Sequence, residues 1–95
     1  MQPPAGNASA SINPATGEAI AWWPWADAIH VERALDAALR AASASRRSSP
    51  AERASLLKAI AGGLRAGKAQ LARTITLEMG KPIAEAEAEV EKSAW

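Results

Sequence analysis

The chain has 95 residues and contains no cysteine, no phenylalanine and no tyrosine, with a single histidine, His30. Without a thiol there is no disulfide framework, no thiolate zinc site, no iron–sulfur cluster and no cysteine nucleophile. One imidazole cannot build a histidine-rich metal centre. No apolar run approaches the ~18 residues that would span a bilayer, so no membrane partner is expected. Met1–Ser11 lacks the basic start and apolar stretch of a secretory signal, and it lacks the arginines of a transit peptide. A soluble cytoplasmic protein is the expectation. Large apolar side chains are scarce as well: of 46 apolar residues 25 are alanine, leaving 21 larger ones. Alanine favours helix but buries little area. A chain this short hides only about 60–65% of its unfolded surface even when well packed. The composition allows one small domain at most, and it argues against a self-sufficient core.

What is present divides into a tail, a turn and helices. Residues 1–10 are small and polar with Pro3, Pro4 and Gly6, and read as a flexible tail. Asn13-Pro14-Ala15-Thr16-Gly17 is a turn signal flanked by apolar residues, which predicts a hairpin with short strands near 10–13 and 18–23, ended by Pro24. Asp27 is an N-cap for a helix starting at Ala28, with Val31, Leu35, Ala38 and Ala42 on one face, fading over Ser43–Ser48. Ser49-Pro50-Ala51-Glu52 combines a cap, proline in the first turn and a capping box. It opens a second helix with Leu57, Ile60, Leu64, Leu71 and Ile75 on one face, weakened by Gly62, Gly63 and Gly67, which mark a bend or a close helix approach. Gly80 stops it and Pro82 starts a third helix with Ile83, Ala86, Val90 and Ala94 on one side. No stop signal follows Val90, and Trp95 lies at the edge of that seam, so the pattern reads as part of an element that continued.

Charge is segregated. Arg33–Arg73 carries nine Lys/Arg against Asp36 and Glu52, and Pro82–Trp95 carries four Glu against Lys92. No aromatic ring lies among the basic residues to stack on bases, so solvated helix faces are expected rather than a nucleic-acid site. Glu85, Glu87, Glu89 and Glu91 alternate, which spreads them around a helix. They read as a solvated face, or as one that pairs with basic residues elsewhere, and not as a metal site. His30 in a first helical turn has no evident partner for general-base work. Gly62-Gly63-Leu64-Arg65-Ala66-Gly67-Lys68 has the glycine content of a phosphate loop without its spacing or a preceding strand, and reads as helix. Trp22, Trp23 and Trp25 are too many for this chain to cover by itself, and they call for a partner surface or a larger core.

Specific strings then accumulate in order. Ser11-Ile12-Asn13-Pro14-Ala15-Thr16-Gly17-Glu18 followed by Pro24-Trp25-Ala26 resembles the opening of the aldehyde dehydrogenase superfamily. Pro50-Ala51-Glu52-Arg53-Ala54 with Leu57 resembles that family's second helix. Glu78-Met79-Gly80-Lys81-Pro82-Ile83, then Glu85-Ala86, Glu89-Val90 and Lys92-Ser93-Ala94, resembles its next landmark, in a form similar to bacterial succinate-semialdehyde dehydrogenases. The resemblance covers residues 11–95.

It implies a protein several-fold longer, of α/β fold, with a doubly wound cofactor domain, of which residues 11–95 would be the truncated N-terminal part. For the fragment it implies a mostly α structure, a short N-terminal β-hairpin plus three helices. Family members oxidise aldehydes to acids with NAD or NADP: a cysteine thiolate attacks the aldehyde, hydride leaves to the nicotinamide, and a glutamate-activated water releases the acid. None of those residues transfers to this chain, so no catalytic, cofactor-binding or metal residue is assigned. No cofactor is expected on the chain alone, and it is expected to be inactive. Relatives are usually homodimers or homotetramers. Ala42 and Ser45 stand where relatives often carry Phe and Trp, a loss of several kcal/mol of packing if nothing compensates. The competing expectation is a small helical interaction module that docks through its Trp and Ala faces.

Overall fold

The structure, a computed structural model, describes residues 2–95. It is mostly helical with one hairpin, in the order β1 (Ala8–Ile12), β2 (Ala19–Pro24), α1 (Ala28–Arg46), α2 (Pro50–Ala66), α3 (Lys68–Met79) and α4 (Ile83–Ala94).

The hairpin forms where the turn residues place it. Asn13 Oδ1 accepts from the Ala15 amide at 2.9 Å, the Gly17 amide donates to the Asn13 carbonyl at 2.7 Å, and Gly17 takes φ 75°, which costs a glycine nothing. The antiparallel register pairs Ser9 with Trp23, Ala10 with Trp22 and Ser11 with Ala21, with an irregularity between Ser11 and Ile12. β1 therefore starts at Ala8, inside the stretch expected to be tail. The Trp22–Trp25 backbone needs hydrogen-bond partners, and residues 7–10 supply them: the Trp25 amide donates to the Asn7 carbonyl at 3.0 Å and Trp25 Nε1 to Ser9 Oγ at 2.8 Å. The remaining part of that expected tail includes Met1, which lies outside the described residues.

Four helices form where three were expected, because the long middle helix breaks at Gly67. Gly67 sits at φ −92°, ψ 7°, a backbone setting off the helical minimum that a glycine adopts readily. Gly62 and Gly63 stay inside α2 with open space around them, so they serve neither a bend nor a close approach. The other boundaries follow their caps. Asp27 accepts from the His30 amide at the start of α1, and Ser49 with Glu52 makes both bonds of a capping box at the start of α2. Gly80 ends α3 in the left-handed region at φ 72°, with its amide bonded to the Thr76 carbonyl.

Packing is confined to one part of the chain. α4 lies against α3 and α2, and the buried residues are Ala72 of α3 with Ala86, Val90 and Ala94 of α4. Alanines at this seam let α3 and α4 approach closely, at the cost of little buried area. Ile83, expected on the same side, is half exposed. Along the expected middle-helix face, Leu57 and Ile60 face solvent, whereas Leu64 and Ile75, nearer α4, are partly covered. α1 joins none of the packed helix pairs. Its expected inner face stands open, with Val31 48%, Leu35 55% and Leu39 70% exposed. The radius of gyration is 17.7 Å and the Cα extents are 48 × 38 × 14 Å. A compact domain of this length would have a radius near 12 Å. The chain is a plate about one helix thick, not a closed globule.

Candidate functional site

The best-defined polar cluster lies where α2, α3 and α4 meet. Arg65, in the last turn of α2, reaches Glu91 of α4 with Nε 2.8 Å from Oε1, and Lys68 at the start of α3 stands 3.7 Å from the other carboxylate oxygen. Lys81, just ahead of α4, pairs with Glu89 in the middle of that helix. The Arg65 hydrogen bond holds the Glu91 carboxyl below its ordinary value, and the Glu89 hydrogen bond raises Lys81. Of the two expectations for the acidic face of α4, pairing with basic residues elsewhere thus holds for Glu89 and Glu91. All these side chains are about half exposed, so the pairs orient the helices rather than anchor them. No group of three or more metal-ligating side chains comes together among the described residues.

A second junction ties the hairpin to the α3–α4 turn. Ser11 Oγ donates to Glu78 Oε1 at 2.7 Å. The Pro14 ring lies so close to Gly80 that a Cβ there would sit 3.0 Å from Pro14 Cγ. Two side-chain atoms, Trp22 Nε1 and Thr76 Oγ1, are enclosed without a hydrogen-bond partner. Neither contact across this junction was legible in the sequence, because residues 11 and 78 have no periodic relation.

His30 does have a partner, contrary to expectation: Nδ1 lies 2.6 Å from Asp27 Oδ1. The three-residue spacing from an N-cap was the signal that could have revealed it. The same Oδ1 accepts from the His30 amide at 2.8 Å, and these two bonds, the backbone one first, lower the Asp27 carboxyl below its ordinary value. Both side chains are mostly exposed and neither lines a cleft. The arrangement is a helix cap. The glycine-rich stretch is the body of α2 and the Gly67 break, with no phosphate cradle. Among the tryptophans, Trp22 is partly covered while Trp23 and Trp25 are 61% and 64% exposed.

Two open clefts stand out among the described residues. One, of ≈ 300 Å³, lies at the α1–α2 elbow against Ser45, Ser48, Glu52 and Arg53; the other, of ≈ 460 Å³, lies against Glu91, Lys92 and Trp95. Neither holds a nucleophile paired with a base, the minimum for covalent chemistry.

Such a molecule belongs to the class of helical packing segments: an opening hairpin and helices whose apolar faces outnumber the partners that the chain supplies. The family profile described as "Aldehyde dehydrogenase family" matches residues 2–95. The chain belongs to the aldehyde dehydrogenase family. It is 48% identical over 84 residues to an NAD(P)+ succinate semialdehyde dehydrogenase of Escherichia coli (strain K12), covering 88% of this chain and 18% of that relative. It is 41% identical over 85 residues to a 3-sulfolactaldehyde dehydrogenase of Pseudomonas putida, covering 90% of this chain and 18% of the relative. A glutarate-semialdehyde dehydrogenase of Pseudomonas aeruginosa is 40% identical over 82 residues, covering 86% and 17%. The chain thus spans less than a fifth of the length of these curated relatives. No described helix is long and apolar enough to cross a membrane.

Proposed function

We propose that this sequence is the N-terminal segment of the cofactor domain of an NAD(P)-dependent dehydrogenase that oxidises a small acidic aldehyde, succinate semialdehyde first, to the carboxylic acid. One observation carries the reading: a family match from residue 2 to residue 95 in a chain that has no cysteine. The family's thiolate step cannot take place on these residues, so their contribution is to packing and to the placing of the hairpin. No residue here touches substrate, cofactor or metal, and the 95-residue chain by itself is inactive. The complete enzyme would be cytoplasmic, a homodimer or homotetramer, and would engage neither nucleic acid nor membrane.

The 48%-identical Escherichia coli relative provides the test. Its matching segment is replaced by this chain, and the chimera is assayed for NADH or NADPH formation with succinate semialdehyde. Activity of the chimera, together with none from the isolated chain, is the expected result. A folded chimera without activity, or reduced cofactor formed by the chain alone, would overturn the reading.

A further inference from the structure

We draw no further inference here: the strongest candidate, the unpartnered apolar face of α1 that carries Val31, Leu35 and Leu39, supports no proposal because nothing in the structure shows what covers it.

Discussion

The junction between the hairpin and the α3–α4 turn depends on Gly80, and Gly80→Ala measures how much. Two costs meet at this position. The backbone is held at φ 72°, where a residue with a Cβ costs about 1–2 kcal/mol. The added Cβ would also lie 3.0 Å from Pro14 Cγ, so the proline ring must yield by a few tenths of an ångström. That adds about 1 kcal/mol, at the low end of overpacking costs. The total is about 2–3 kcal/mol, and because roughly 1.4 kcal/mol is tenfold, protection at the seam should fall about 30- to 140-fold. Native-state amide hydrogen exchange at Ala72, Ala86 and Val90 is the assay, because it reports local opening without requiring the whole chain to unfold as one unit. A double-mutant cycle separates the two costs. Pro14→Ala removes Cγ and leaves only the 3.8 Å contact to Cβ, so the added Pro14→Ala should recover the contact portion and none of the backbone portion. Exchange in Gly80→Ala within twofold of wild type would refute the left-handed constraint. A cycle with no coupling would refute the contact.

Two further outcomes follow from the same seam. Val90 is 5% exposed, so Val90→Ala removes the equivalent of two buried methylenes and should loosen the α3–α4 pair by about 1.5–2 kcal/mol, read as faster exchange at Ala72 and Ala86. Glu91, held below its ordinary 4.5 mainly by the Arg65 hydrogen bond, contributes stability that is fully present above that value and is lost as pH falls through its lowered folded-state pKa. Helicity should therefore decline on acidification in this range, by a smaller amount in Glu91→Gln and at high salt. An acid titration identical in wild type and Glu91→Gln would contradict the clamp.

The parts of the fold that were legible in advance are those governed by near neighbours. Asp27, Ser49 with Glu52, and Gly80 each act within about one turn of a helix, so the caps could be placed from residue type and spacing. The turn at Asn13–Gly17 is of the same kind. The β1 start at Ala8 was missed because residues 7–10 carry no strand signal of their own and are ordered by the tryptophan-rich strand opposite. A bend was expected at Gly62, Gly63 or Gly67 without a choice among them, because the three offer equivalent weakening, and the ladder gives way only where α3 swings onto α4. Among candidate site residues, the pairing of Glu89 and Glu91 was one of two open readings. His30 was set aside for want of a partner that stands three residues away.

By itself, the sequence determined the element types, the helix caps and, through the absent cysteine, the exclusion of a thiolate step on these 95 residues. Those properties depend on local stereochemistry and on side-chain inventory, which need no fold to be read. Only the tertiary structure decided which apolar faces find partners: Ala72, Ala86, Val90 and Ala94 are enclosed, whereas Val31, Leu35 and Leu39 are not. Helical periodicity identifies a face that can be buried, but burial requires a surface opposite. The described chain supplies that surface for α4 and leaves α1 without it.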